Sequence, residues 1–162
     1  MKCNLVRATL TISSVAALLA ALTPAAHAAN CSLETVAGHW GFTLTGVLIL
    51  PTGPVPVAAV ANGVLDAKGN LTGTEARSVG GGYADETLNG NWTVNPDCTG
   101  TLTAYIYESG QLVRISVTSI VFDGNSKEVR MVQKSLTLPD GTQLPVVITL
   151  EGKKQSDRLG GS

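Results

Sequence analysis

Residues 88–107, LNGNWTVNPDCTGTLTAYIY, show most clearly the pattern on which the whole chain is built. On each side of the segment Asn95-Pro96-Asp97, apolar residues alternate with polar ones. This period of two is typical of a half-buried β-strand. Proline has a fixed φ and no N–H to donate, and Asn and Asp side chains can bond their own backbone, so the central segment predicts a turn. The stretch is therefore predicted to form a β-hairpin.

The same pattern recurs along the rest of the 162-residue chain. Alternating apolar runs are separated by short segments of Gly, Asp, Asn and Pro, which favour turns. Residues 32–35 are predicted to form one turn of helix with Ser32 as its N-cap. The predicted strands are residues 38–50, 55–65, 71–79, 83–94, 99–107, 112–122, 127–138 and 144–152.

The lengths of the connections between these strands distinguish between two all-β architectures. Short connections favour antiparallel pairing of neighbours in a meander. A β-sandwich, the alternative, needs long crossovers between its sheets, and only residues 51–54 offer a candidate. Closure also removes unpaired strand edges. We therefore predict an eight-stranded antiparallel up-and-down β-barrel.

The N-terminal segment has the pattern of a secretory signal peptide. Lys2 and Arg7 form a positive region, residues 10–22 are an apolar run, and Ala26-His27-Ala28 is a small-x-small cleavage site. The apolar run is shorter than the about 20 residues that a membrane-spanning helix needs. We predict a signal peptide over residues 1–28.

Removal of that segment leaves one domain. Residues 29–153 contain all the predicted strands, and residues 154–162 have no apolar pattern and are predicted to fray. The mature protein is predicted to be secreted or periplasmic. It retains two cysteines, Cys31 and Cys98, which in an exported domain are predicted to form a disulfide bond, the alternative being two free buried thiols.

The composition of the mature chain excludes several classes of function. Charged residues are scattered and form no basic patch, which argues against nucleic-acid binding. No amphipathic helix is present to bind a membrane after cleavage. His39 is the only histidine left, and no G-x-S-x-G motif occurs, so nucleophilic catalysis lacks its residues. Dispersed carboxylates form no metal cluster, and we predict no metal and no cofactor.

Alternation along the strands also predicts which residues form the core. A substitution of Trp92 by alanine is expected to cost about 3–5 kcal/mol if the indole is fully enclosed. The residues predicted to be mostly buried are Trp40, Phe42, Leu44, Trp92, Val94, Leu102, Ile106, Val117, Val129 and Ile148.

Charged residues on two strands allow two interpretations. In one, Glu75, Arg77 and Glu86 point into the barrel as an ion-pair network or part of a ligand site, because a buried charge needs a partner. In the simpler one, which we favour, Glu86 lies at a rim and the inward set of the third strand is Thr72, Thr74, Ala76 and Ser78. The candidate cavity residues are Trp40, Phe42, Glu75, Arg77, Glu86, Trp92, Tyr105 and Arg114.

Gly38-His39-Trp40, near the start of the first strand, resembles the lipocalin and wider calycin pattern. In that pattern a G-x-W sequence lies at the barrel entrance, and the resemblance implies that Trp40 closes one end. The chain is also similar in size and meander topology to the small eight-stranded barrels of the allene oxide cyclase and dirigent type. Some of those act as cyclases, although a shared fold does not imply a shared function.

Three functional hypotheses follow. We favour a non-catalytic barrel that binds a small apolar molecule, because small barrels can enclose such a ligand. The first alternative is a cyclase or isomerase in which Glu75, Glu86 or a tyrosine acts as acid or base. The second is an interaction module whose barrel is filled by side chains.

Overall fold

The computed structural model describes residues 31–123 and 125–156. The predicted signal peptide and residues 157–162 of the predicted tail lie outside this range. Within it, the chain forms a closed, eight-stranded antiparallel β-barrel with one additional two-residue strand. No helix in these residues is long and apolar enough to cross a membrane.

The strands match the predicted ones within a few residues, except that Pro145 divides the last into two. Strand β9 also extends beyond the predicted end, and the N–H of Gln155 donates to the carbonyl of His39. The elements are α1 (Leu33–Val36), β1 (Gly38–Leu50), β2 (Gly53–Leu65), β3 (Asn70–Val79), β4 (Gly82–Val94), β5 (Thr99–Glu108), β6 (Gln111–Phe122), β7 (Glu128–Thr137), β8 (Gln143–Leu144) and β9 (Val146–Lys154).

Pairing of neighbours in a meander closes the barrel. Strands β1 to β7 pair in sequence, and β9 pairs with both β7 and β1, while the short β8 pairs only with the end of β7. The predicted barrel is therefore confirmed and the sandwich alternative is wrong. The candidate crossover is a tight hairpin, because Leu50 pairs directly with Gly53 across two residues.

The hairpin of residues 88–107 is confirmed as the β4–β5 pair, in which Trp92 lies opposite Leu102. Its turn is held by backbone and side-chain hydrogen bonds. The N–H of Cys98 donates to the carbonyl of Asn95 at 2.9 Å, and that of Thr99 donates to Oδ1 of Asp97 at 3.1 Å. The turn residues thus act as their side chains predict.

One end of the barrel, here called the closed end, is covered by α1. Ser32 caps this helix as predicted, and the Val36 side chain is fully buried. Trp40 Nε1 donates to the carbonyl of Val36 at 3.0 Å. The predicted disulfide bond between Cys31 and Cys98 is present and ties the N-terminal segment to the β4–β5 turn.

The core prediction is confirmed in full for five of its ten residues and in part for the other five. Val117 is half-buried but lies on the outer face, because Thr118 and Ile120 are buried and successive strand residues point to opposite faces. The buried members are Trp40, Trp92, Ile106, Val129 and Ile148, and the half-buried ones are Phe42, Leu44, Val94, Leu102 and Val117.

Two register shifts alter the alternation of the strands. Where β5 pairs with β6, Val113 has no residue opposite it on β5 and is extra in the register. Where β6 pairs with β7, Lys134 is extra in the same way. A β-bulge of this kind re-aims the side chains next to it. As a result Val113 and Arg114 both line the barrel interior, whereas Lys134 stays exposed.

Candidate functional site

A cavity of about 250 Å³ occupies the barrel interior from its middle to its open end, the end where β1 turns into β2. We call it the central cavity. Its walls are mainly aliphatic, with side chains from all eight long strands and from β8. Apolar lining residues include Phe42, Leu48, Val57, Leu102, Met131 and Leu144, and the polar ones are Glu75, Arg77, Arg114, Ser116, Thr118 and Gln133.

Four charged residues, here called the charged cluster, meet at one side of this cavity. Glu75 on β3 lies directly opposite Glu86 on β4, and two arginines bind these carboxylates. Arg77 donates from Nε and Nη2 to Glu86 at 3.0–3.2 Å. Arg114 lies on β6, which is separated from β4 by β5, and donates to both Glu86 oxygens and, from Nη2, to Glu75 Oε1 at 2.7 Å. The cluster therefore joins β3, β4 and β6 on one side of the barrel, across the intervening strand β5.

Glu86 is the centre of the charged cluster. It is 3% exposed, and five of the six hydrogen bonds within the cluster end on its carboxylate. Burial acts to raise the pKa of Glu86, but the hydrogen bonds and positive charges of Arg114 and Arg77 outweigh it and lower that pKa to about 2. Glu86 therefore stays ionised and holds both guanidinium groups.

Glu75 is in the opposite situation. It accepts one hydrogen bond from Arg114 and lies against the Glu86 carboxylate. Burial, together with this neighbouring carboxylate, raises the pKa of Glu75 to about 7, and the charge of Arg114 offsets only part of the increase. Near neutral pH, Glu75 exists in both protonation states.

This arrangement corrects the favoured interpretation of the third strand. Glu75 and Arg77 line the cavity, while Thr72 and Thr74 are exposed. The small and polar residues on both faces of β3 leave the alternation ambiguous. The buried Leu71 shows which face of β3 points inward. Ion pairs with residues of other strands offset the free-energy cost of burying the charges on that face.

The other candidate residues divide into three groups. Phe42 and Arg114 line the central cavity, and Glu86 lies behind it. Trp40 and Trp92 are buried at the closed end and do not line it. Tyr105 was predicted wrongly, because Ala104 and Ile106 point inward and the residue between them faces outward.

Trp92 has a further property. It borders a small void of about 10 Å³ at the closed end, together with Phe42, Leu102 and Met131, which also line the central cavity. Its Nε1 has no hydrogen-bond partner in the part of the chain that the structure describes. A buried donor without a partner costs about 1–3 kcal/mol.

Four polar or bulge residues of the cavity were missed by sequence reasoning. Ser116 and Thr118 share the inward phase of Arg114 and Ile120, so alternation contained the signal for them. Gln133 follows Val129 and Met131 by the same period of two. Val113 could not have been found this way, because it is inward only through the bulge.

The described residues contain no group of three or more His, Cys, Asp or Glu side chains that could hold a metal ion. His39 lies exposed on the outer face of β1, opposite in phase to the buried Trp40. The chemistry that the cavity offers is therefore apolar contact plus the donors and acceptors of the charged cluster.

Comparison with known proteins supports the fold. No family model matches the chain, and no curated protein matches it. The structure of EF1p2_mFAP2b bound to DFHBI is similar, with 11% identity over 79% of this chain and 99% of that one and a TM-score of 0.52. The S-type phycobiliprotein lyase CPES from Guillardia theta has 9% identity over 78% of this chain and 92% of that one, with a TM-score of 0.45. Rv2717c from M. tuberculosis has 15% identity over 76% of this chain and 95% of that one, with a TM-score of 0.40. The eight-stranded antiparallel barrel fits a calycin-like fold.

Proposed function

We propose that this protein is an exported, non-catalytic β-barrel that binds one small, largely apolar molecule in the central cavity. The observation that carries the proposal is the cavity itself, about 250 Å³ of space bounded mainly by aliphatic side chains. An interior filled by side chains, as in the interaction-module hypothesis, would leave no such space.

The cavity volume indicates the size of the ligand. A cavity of about 150 Å³ is enough to bind benzene, and sites for drug-sized ligands begin at about 300 Å³. The central cavity lies between these values. It fits a molecule of about two fused rings, or an aliphatic chain of similar volume.

Two observations support export. The pattern of residues 1–28 is that of a signal peptide. The disulfide bond between Cys31 and Cys98 is of a kind that forms and persists in oxidising compartments. Both are expected of a secreted or periplasmic protein.

The similar structure of EF1p2_mFAP2b was solved with DFHBI bound. At 11% identity that likeness bears on the fold alone, and a fold does not determine what it binds. The proposal therefore rests on the lining of this chain's own cavity.

Titration with an uncharged, environment-sensitive naphthalene dye tests the proposal. We expect one dye to bind per protein, with a blue shift and an increase in emission. Ala61 lines the cavity and Ala58, on the same strand, is exposed outside, so the two alanines form a matched pair. Ala61→Phe should weaken binding at least tenfold, because the ring occupies cavity volume, and Ala58→Phe should not.

Two outcomes would contradict this proposal. One is the absence of saturable binding by the wild-type protein. The other is equal binding by Ala61→Phe and Ala58→Phe, provided that circular dichroism shows both variants folded, since this would place the dye on the outer surface.

A second candidate function, acid–base catalysis as in a cyclase or isomerase, is favoured by one observation. Glu75 lines an apolar cavity with a pKa of about 7, close to the value that suits a general acid or base at neutral pH. Such a base would exchange the acidic methyl protons of bound 2-acetylnaphthalene with D₂O. Exchange above the protein-free rate that is lost in Glu75→Gln would favour catalysis, and exchange at the protein-free rate would favour the carrier.

A further inference from the structure

The guanidinium groups of the charged cluster have more donors than the cluster uses. Two guanidinium groups carry ten N–H bonds, and the six hydrogen bonds that they make all end on Glu75 and Glu86. Within residues 31–123 and 125–156, nothing accepts a hydrogen bond from Arg77 Nη1. The Arg77 side chain lines the cavity and is 20% exposed. The cavity wall therefore offers donors to a bound molecule.

The charge of the cluster depends on Glu75. With Glu75 ionised, two negative and two positive charges balance. With Glu75 protonated, Glu86 remains the one negative group beside two arginines, and the cluster carries an excess positive charge. An uncompensated charge in an apolar interior costs several kcal/mol. A bound anion would balance that charge.

We propose that the small molecule bound in the central cavity carries a carboxylate group, which accepts hydrogen bonds from Arg77 while Glu75 holds a proton. This inference rests on the proposed function and names the chemical class of its ligand. The proton comes from solvent and forms the O–H bond of Glu75. The ligand carboxylate then supplies the negative charge that Glu75 no longer provides, so the cluster with its ligand remains neutral.

Glu75 faces few other groups that could change this balance. From β4 it faces Glu86, from β6 it faces Arg114, and on its own strand Arg77 follows on the same face. The β2 residue opposite it is Ala61, which cannot titrate. Among the described residues that line the cavity, the remaining polar ones are Ser116, Thr118 and Gln133, and none titrates near neutral pH.

Charged and uncharged ligands should therefore respond to pH differently. A carboxylate binds together with one proton, so its affinity rises as the pH falls until Glu75 is already protonated in the free protein. An uncharged ligand of the same shape leaves the excess positive charge unbalanced when Glu75 is protonated. Its affinity therefore does not increase as the pH falls.

A matched pair of ligands tests the inference: 2-naphthoate, which remains ionised between pH 6 and pH 8, and its uncharged isostere 2-acetylnaphthalene. Calorimetric titrations at constant salt should show 2-naphthoate binding about tenfold more tightly at pH 6 than at pH 8. The affinity for 2-acetylnaphthalene should change by less than about twofold. Glu75→Gln should keep tight 2-naphthoate binding and lose its pH dependence, and the exposed Glu151→Gln should behave like the wild type.

Each outcome decides between distinct conclusions. If 2-acetylnaphthalene binds and 2-naphthoate does not, or if both show the same pH dependence, the carboxylate inference is wrong while the proposed binding function stands. If pH dependence persists in Glu75→Gln, the coupled proton is on another group and the inference is wrong. If neither probe binds at any pH, both the inference and the proposed function fail.

Discussion

At the closed end of the barrel, aromatic side chains fill the interior, whereas at the open end aliphatic and charged side chains enclose space. Trp40 and Trp92 each pack against Phe122, with ring centroids 5.6 and 6.0 Å apart. Phe42 occupies room left by Gly152, where a Cβ would come within 2.5 Å of its ring. The same strands run through both halves. The difference between the halves therefore comes from the volume of the inward side chains, which fill the closed end and leave a cavity at the open end.

The ion pairs also differ between the two halves, because those of the charged cluster are largely buried and the Lys153–Glu128 pair at the closed end is exposed. The charged cluster lies in the half that contains the cavity, where it joins β3, β4 and β6. The closed end is instead held by apolar packing, α1 and a disulfide bond. At the closed end, hydrogen bonds lower the pKa of Asp66 and Asp97, so the stability that these carboxylates contribute is lost only in acid. In the cavity half the stability is expected to change near neutral pH, where Glu75 titrates.

The largest expected effect concerns the closed end. The double variant Cys31→Ala/Cys98→Ala removes a crosslink that spans 67 residues of sequence, which should lower the free energy of unfolding by about 4 kcal/mol on the chain-entropy model. Urea titration measures this loss. Naphthalene-dye affinity should be retained where the variant is folded, because the cavity lies in the other half. A loss below about 1 kcal/mol, or a loss of binding by the folded variant, would contradict the separation of the two halves.

A smaller effect should come from Glu75 in the cavity half. Because the pKa of Glu75 is raised to about 7 in the folded protein from its usual 4.5, the folded state binds more protons than the unfolded state between these values. Stability is thus greatest at the acidic side of this window and falls as the pH rises through 7.

Comparison with Glu75→Gln isolates this contribution. Between pH 5 and pH 8 the wild type should lose about 2 kcal/mol relative to the variant, measured as the difference between their urea unfolding free energies. Glu151→Gln, which alters an exposed carboxylate on β9, serves as the control and should follow the wild type. Parallel curves for the wild type and Glu75→Gln would show that Glu75 ionises in the folded protein as it does in the unfolded chain.

The smallest expected effect compares the two tryptophans. Trp40→Phe removes the donor to the buried Val36 carbonyl, whereas Trp92→Phe removes an N–H that has no partner among the described residues. Both variants lose similar ring volume, so Trp40→Phe should be the more destabilising by about 1 kcal/mol. Thermal unfolding of the two variants side by side measures the difference. Equal or reversed losses would mean that Nε1 of Trp92 is hydrogen-bonded in solution.

Turns and alternation predicted most of the fold because both are local. The segment Asn95-Pro96-Asp97 marked its hairpin, and Trp40 and Phe42 marked the inner face of β1. Prediction failed where a local pattern has two solutions. On β3 both faces carry small residues, and the inward set is decided by Arg114, which is 39 residues from Glu75 in sequence.

The residues of the candidate site could be predicted from the sequence, but their arrangement in space could not. Glu75, Arg77, Glu86 and Arg114 were all selected as candidates, yet their pairing depends on strand register and on the bulge at Val113. Val117 and Tyr105 show the same limit, since each looks like a core or cavity residue by type and lies in the outward phase. The volume of the cavity is a property of all strands together.

The barrel closes by pairing its first strand, β1, with its last strand, β9. Thr43 lies beside Glu151 in the closed barrel, over a hundred positions along the chain. Until β9 pairs with β1, one edge of β1 exposes unpaired backbone groups, which can template association with other chains. The crosslinked residues Cys31 and Cys98, in contrast, are both available before β6 has been made. Because β1 and β9 are the pair of strands farthest apart in sequence, we expect ring closure to be the slow and aggregation-sensitive step of folding.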